Sequence, residues 1–399
     1  MEFYKETEFR DTDIGRIPKD WNVKEIGKIV EIKNGQRPKI SDSGKIPVFG
    51  ANGIMGYTSQ SIVEDDFIIL IGRVGASGEV NVAQGKVWVS DNAFYTGKFE
   101  AGEANPLFIY YILKFKQLSQ YAKKSTHPII SLSFLRSFPI EVPKIEEQGK
   151  IASFLSNLDS LIQQADSIIQ KTQELKKGLM QELLTKGMGH KDFKHSEEFG
   201  HEIPEEWEVR NIGELCDVNK ETLSNRTNDD YKFYYIDIGG VAYAGAKPIM
   251  QQLAFKYAPS RARRKAKRDD ILVSTVRPYL RTFTYIEENI DDLICSTGYA
   301  VLSVKHGLYS RFAYQFILSD YFLNQLVPMG SSYPAVTSKQ IERVKIPLPK
   351  IEEQRRIAST LTNIDEQIKA ELLTKENYEI LKKGLMQTLL MGQVRIKVN

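Results

Sequence analysis

The sequence predicts an α+β chain: two similar mixed α/β domains separated by two long antiparallel coiled-coil helices, the halves related by an approximate two-fold. Three observations predict it. Words recur at a fixed offset, apolar residues form two heptad stripes, and short strand-like runs alternate with turn residues in both halves.

The repeat comes first. Pro143-Lys-Ile-Glu-Glu-Gln148 recurs as Pro349-Lys-Ile-Glu-Glu-Gln354, and Leu175-Lys-Lys-Gly-Leu-Met-Gln181 recurs as Leu381-Lys-Lys-Gly-Leu-Met-Gln387, both 206 residues on. Ile17-Pro-Lys-Asp-Trp-Asn-Val23 resembles Ile203-Pro-Glu-Glu-Trp-Glu-Val209, at an offset of 186, and each is followed by Ile-Gly. The halves therefore share their ends and differ in their middles. The order is a first globular half (1–142), a first helix (143–189), a connector and second globular half (190–348), and a second helix with a tail (349–399). The period is far longer than that of a solenoid, so a whole domain plus helix has been duplicated.

The helix after Pro143 opens with Glu146 and Glu147 in its first turn, where carboxylates suit the dipole. Its apolar residues Ile151, Leu155, Leu158, Ile162, Ala165 and Ile169 step by four and three, a heptad stripe. Lys176 is the polar exception further along, and Gly187 and Gly189 end the helix. The second copy keeps register at Ile357, Leu361, Ile364 and Ile368 and weakens at Glu371 and Lys375. Each helix is about 40 residues, or roughly 60 Å, long. The stripes are expected to face each other, making a rigid spacer. Gly178 and Gly384 sit inside these helices at a cost of about 1 kcal/mol relative to Ala. They point to a close backbone approach, between the helices or to a partner, or to an accident of duplication.

Within the halves, 67–71, 86–89 and 271–274 read as strands, 106–120 and 310–325 as short helices, and 138–142 and 344–348 as closing strands. The acidic pairs Asp65-Asp66 and Asp269-Asp270 read as turn residues before strands.

Net charge is only +3, so any basic footprint is local. Arg261, Arg263, Arg264, Lys265, Lys267 and Arg268 place six cations in eight residues, followed by Arg277, Tyr279 and Arg281 around Pro278. Cations meet phosphates, and Arg and Lys read base edges, so this cluster is a candidate nucleic-acid contact. In the first half the candidates are Lys33, Arg37 and Lys39 in a polar loop, Arg73 in a glycine-rich turn, and Lys123 and Lys124. Ser332 and Tyr333 hold the place in the second half that Lys123 and Lys124 hold in the first.

Catalytic signals are poor. No Gly-Lys-Ser/Thr occurs, Gly72, Gly75 and Gly78 do not make a dinucleotide loop, and Asn105-Pro-Leu-Phe108 only loosely resembles an amino-methyltransferase motif. His190, His195 and His201 fit no zinc spacing, and no metal site is expected. Two cysteines and no long apolar run point to a reduced, cytoplasmic chain without a membrane partner.

The Ile-Pro-x-x-Trp starts, the Pro-Lys-Ile-Glu-Glu-Gln helix openings and the Leu-Lys-Lys-Gly-Leu-Met-Gln words together resemble the specificity subunits of type I restriction-modification enzymes, over essentially the whole chain. That resemblance implies two target-recognition domains, each reading half of an asymmetric bipartite site on double-stranded DNA. It implies helices that set the gap between half-sites and dock two methyltransferase subunits. It also implies motor-endonuclease subunits in the complex, S-adenosylmethionine held by the methyltransferases, and no cofactor or catalysis in this chain. It identifies no base-contacting residue. One feature suits a pseudo-symmetric ring: the segment before the first domain (Ile14-Gly15, Ile17-Pro18) resembles the connector before the second (Phe199-Gly200, Ile203-Pro204). A related system with one fused cutting-and-methylating partner would have a similar subunit.

Overall fold

The structure, a computed structural model, describes residues 2–41, 43–122, 128–242, 247–330 and 334–397. It divides into two compact units, Met1–Asp166 with Leu373–Asn399, and Ser167–Leu372. Each unit thus combines one globular domain, the N-terminal part of one long helix and the C-terminal part of the other.

The long helices run Ile145–Leu183 and Ile351–Leu390, 39 and 40 residues. Ile151, Leu155, Leu158, Ile169, Ile357, Leu361 and Ile364 are buried, and Ile162 and Ile368 half-buried. Much of this burial is against the domains. In the first unit Ile151, Ala152 and Leu155 share a core with Leu389 and Leu390 and with Phe108, Ile112 and Ile140. In the second, Ile357, Ala358 and Leu361 do the same with Leu183, Leu184, Phe312, Phe316 and Ile346. Each such Leu or Ile contributes roughly 1.5–3 kcal/mol, so the stripe fastens domain to helix as well as helix to helix.

The helices are antiparallel where they meet. In the first unit Asp159 pairs with Lys382 and Asp166 with Lys375, a rise of seven on one helix matched by a fall of seven on the other. In the second unit Lys176 pairs with Asp365 at 2.6 Å. The polar interruptions of the stripe at Lys176 and Lys375 are therefore cross-helix ion pairs. A Cβ at Gly178 or Gly384 would meet nothing within 4 Å, so the expected close approach between the helices is absent.

In the first domain a six-stranded sheet runs in the order 30–34, 93–99, 63–72, 80–89, 46–50, 53–58, antiparallel except where 46–50 lies parallel to 80–89. The second domain has two four-stranded sheets instead, ordered 216–218, 299–304, 271–274, 284–285 and 251–254, 232–236, 293–296, 262–266. The shared ends are shared in structure. Strand 139–142 pairs with 22–25 as 345–348 pairs with 208–211, and the hairpin 9–12/15–18 has its counterpart in 193–196/201–204.

Three local expectations change. The stretch 106–120 is a helix, Pro106–Phe115, followed by a 3-10 turn, Leu118–Tyr121, because Gln117 between them has a left-handed backbone with φ of 46°. Asp65 and Asp66 lie within strand 63–72, at a bulge, because the strand extends beyond its apolar run. The stretch 310–325 is two helices, Ser310–Ile317 and Asp320–Asn324, because the Ser319 side chain caps a new turn by accepting from the Phe322 N–H. The Asn105 motif is also a cap. Its side chain accepts from Phe108 N at 3.0 Å, with Pro106 at the first helical position.

Candidate nucleic-acid interface

In the first domain, neighbouring strands deliver the cationic loops to one sheet end. Gly72 pairs with Ala93, Phe94 with Asn34, and the Gly35 N–H donates to Ala93 O at 3.0 Å. The loop after Asn34 leaves from this end and carries exposed Arg37 and Lys39. It is pinned rather than loose: the Gln36 N–H donates to Val89 O at 2.8 Å, and Trp88 Nε1 donates to Gln36 O at 2.9 Å. Gly35 is required there, since a Cβ would lie 2.0 Å from Ser90 O. Arg73 leaves the same end, half-buried, its guanidinium 6.0 Å from the Phe94 ring centroid and donating to Asp91 O at 3.3 Å. Lys33 is exposed and paired with Glu31 at 3.0 Å. So Arg37, Lys39 and Arg73 leave from one sheet end, while the Lys33 ammonium lies back along the sheet beside Glu31 and Gly97. Lys123 and Lys124 lie outside the described residues.

The corner at Arg73 is repeated. The Arg73 N–H donates to Asn92 O, the Ile130 N–H to Arg73 O, and Val74 bridges to Ile129. In the second domain the Thr275 N–H donates to Gly298 O, the Val336 N–H to Thr275 O, and Val276 bridges to Ala335. The basic run reaches this same end, because the Thr297 N–H donates to Arg261 O at 2.8 Å.

The basic run itself is a strand, Ala262–Ala266, and alternation divides it. Arg261 is exposed and paired with Asp237 at 2.9 Å; Lys265 is exposed and 3.5 Å from Glu221. The Arg263 guanidinium stacks 4.9 Å over Phe255 and stays half exposed. Arg264 faces the other way, on the side of buried Ala266 and Cys295, because a bulge between Ala262 and Arg264 shifts the alternation. Among the described residues its Nη1 is buried without a hydrogen-bond partner, and burial pushes its pKa down. The six-cation cluster is thus divided: Arg261, Lys265, Lys267 and Arg268 are exposed, Arg263 is half exposed over Phe255, and Arg264 turns inward.

Arg277 and Arg281 flank the 3-10 turn Pro278–Leu280 and both have left-handed backbones, with φ of 49° and 51°. Such conformations cost of order 1–3 kcal/mol each. Arg281 is an anchor: it donates to Leu318 O at 2.8 Å and pairs with Asp320. Tyr279 is exposed. Ser332 and Tyr333 lie outside the described residues.

Sequence inspection overlooked the residues that hold these faces to the helices. Gln148 is buried; its Oε1 accepts from Asn105 N and its Nε2 donates to Glu103 O and Pro143 O, all within 2.9 Å. Gln354 repeats this with Tyr309 N, Gly307 O and Pro349 O. The signal was the last letter of the repeated Pro-Lys-Ile-Glu-Glu-Gln word. The preceding glutamates differ in partner. Glu147 receives Arg395, which also holds Asp20 and Glu6, whereas Glu353 accepts from Trp207 Nε1, Met188 N and His190. Among the described residues no group of His, Cys, Asp and Glu is arranged to hold a metal, and no helix is long and apolar enough to cross a membrane.

A duplicated domain-and-helix unit, with a matched corner on each copy, defines a protein built from two similar copies of one domain and one long helix. The chain belongs to the type I restriction modification DNA specificity domain family, whose signature matches residues 18–176 and 204–381. It is 28% identical to the type I restriction enzyme MjaVIII specificity subunit of Methanocaldococcus jannaschii, over all of this chain and 98% of that one. The S subunit of a type I restriction-modification system from M. genitalium has the same fold, with a TM-score of 0.63 at 17% identity over 95% of this chain and 97% of that one. A chain from a type I R-M system solved to explain complex assembly and conformational transition matches with a TM-score of 0.52 at 16% identity, over 94% and 99%.

Proposed function

We propose that this chain is the DNA-reading scaffold of a type I restriction-modification complex, without catalysis of its own, and that each domain reads one half of an asymmetric bipartite site on double-stranded DNA. The observation that carries this reading is the repeated corner, bordered by Arg37, Lys39 and Arg73 in the first domain and by Arg261, Arg263 and Lys265 in the second. Phosphate contacts from such cations set register, and neighbouring side chains reach base edges.

In this proposal the long helices set the distance between half-sites and dock two methyltransferase subunits. Those subunits carry the S-adenosylmethionine, and motor-endonuclease subunits complete the assembly in the cytoplasm. The repeated Leu-Lys-Lys-Gly-Leu-Met-Gln word supports the docking role, because in both copies its leucine (Leu175, Leu381) is exposed and its glycine bare.

The test is recovery of the tagged full-length chain from its host, with mass spectrometry of what it retains. An adenine methyltransferase at about two copies per chain is expected, as the two repeated docking words imply. A single fused nuclease-methyltransferase would reassign the chain to the related system, and recovery of neither would reject the scaffold role.

A further inference from the structure

We infer that residues 277–281 form a rigid wedge which the second domain inserts between base pairs of its half-site, an inference that rests on the DNA-reading role proposed above. The tip of the turn carries Tyr279 and Leu280, 56% and 54% exposed. Tyr279 makes no hydrogen bond or ring contact among the described residues. Everything beneath the tip is fastened. Pro278 is buried, the Arg277 N–H donates to Pro334 O at 2.7 Å, and the Arg281 side chain is held by Leu318 O and Asp320. The Leu280 and Arg281 N–H groups close the turn on Arg277 O and Pro278 O, and Phe283, two residues on, is fully buried in the core.

Two left-handed, non-glycine residues at either end of a single turn therefore hold an aromatic and an aliphatic side chain out in solvent on a stiff base. A flexible loop would fold such side chains back onto the protein. A preorganised apolar tip suits insertion, since apolar wedges between base steps unstack and kink a duplex, and rigidity lowers the ordering cost on binding.

The surroundings favour a duplex as the occupant. The turn starts from the same end of the domain as Arg261, whose carbonyl binds Thr297 N beside the Gly298 that holds Thr275. Arg261 and the half-exposed Arg263 there can hold the phosphates on either side of an opened step. Among the described residues the equivalent corner of the first domain runs through Gly75 and Gly78 into a tight turn and carries no such tip, so the wedge is assigned to the half-site of the second domain. Easily unstacked pyrimidine–purine steps are the sequence class it prefers.

The experiment uses the full-length chain, purified with the subunits it retains, and a pool of random-sequence duplexes from which bound molecules are sequenced. Bending of a selected duplex is then measured by gel mobility with the site at different positions. Wild type is expected to select a two-part site and bend it. The Tyr279→Ala/Leu280→Ala variant, with unfolding unchanged because the tip is exposed, is expected to keep the preference of one half, lose that of one step in the other, lose the bend, and bind about tenfold or more weakly. Tyr279→Phe keeps the ring and is expected to behave as wild type. An unchanged site and bend in the double variant would overturn the wedge while leaving the DNA-reading role intact. Failure of wild type to select any sequence would overturn both.

Discussion

Lys176 reaches across from the first long helix to Asp365 on the second, 2.6 Å between Nζ and Oδ1, and Asp365 accepts at the same time from Gln315 Nε2 of the second domain at 2.9 Å. The first unit holds the mate of this junction, in which Asp159 accepts from Lys382 and, at 2.6 Å, from the Tyr111 hydroxyl. Each aspartate ties a domain, its own helix and the opposing helix at one point. Burial and the Asp159 carboxylate push the Tyr111 phenol well above its ordinary range, which keeps it a donor. Replacing Asp365 by Ala strands a Gln315 amide that is 2% exposed and a Lys176 ammonium that is 16% exposed. The expected loss is about 1–3 kcal/mol, read from denaturant unfolding. An unaltered midpoint would mean that this junction does not help join domain to helix.

Arg395 makes the C-terminal tail pH-sensitive. It bonds both oxygens of Glu147 and of Asp20, and its strand 394–396 pairs with strand 3–5. The Arg395 hydrogen bonds hold the Asp20 carboxyl below its usual range against the opposing effect of burial. A depressed carboxyl contributes stability that is fully present above the unfolded value of about 4 and is lost as pH falls through the folded value. The pairing of the two termini should therefore weaken in acid below about pH 4. Arg395→Met should flatten that dependence. At neutral pH it should also cost about 3–5 kcal/mol by leaving Glu147, only 2% exposed, uncompensated. Unfolding midpoints across pH for the two proteins decide this.

Gly178 and Gly384 separate folding from docking. Among the described residues nothing occupies the space of an added methyl, so Gly178→Ala and Gly384→Ala should each stabilise the purified chain by about 0.5–1 kcal/mol. If a methyltransferase helix packs there, the same changes should reduce its recovery with the chain. Stabilisation without any loss of recovery would locate docking elsewhere.

Arginines adjacent in sequence should differ in role. Reversing Arg263 and Lys265 to Glu is expected to weaken DNA retention and lower the salt slope by about two, one for each phosphate no longer neutralised. Arg264→Met should leave the slope alone, since Arg264 points inward toward Cys295. Equal effects of both changes would mean that the run acts as one undivided patch.

Much of the architecture was legible in the amino-acid order, because duplication preserves spacing and burial preserves period. The repeated words marked both helix openings, the heptad residues from Ile151 to Ile169 and from Ile357 to Ile368 came out buried or half-buried, and 67–71 and 271–274 came out as strands. The candidate cations were less legible. A run of basic residues has no visible faces until it is known to be a strand, so Arg263 and Arg264 look alike in the sequence.

The sequence by itself determined that there are two copies of a domain and a long helix, since apolar periodicity and repeated words are local and need no partner to be seen. Only the tertiary structure decided that each compact unit takes half of each helix, that Lys176 and Lys382 seek Asp365 and Asp159, and that Arg395 closes on Glu147 and Glu6. Those choices pair residues roughly 190 to 390 positions apart. Their free energy depends on geometry and desolvation at the meeting point, which the order of residues along the chain does not specify.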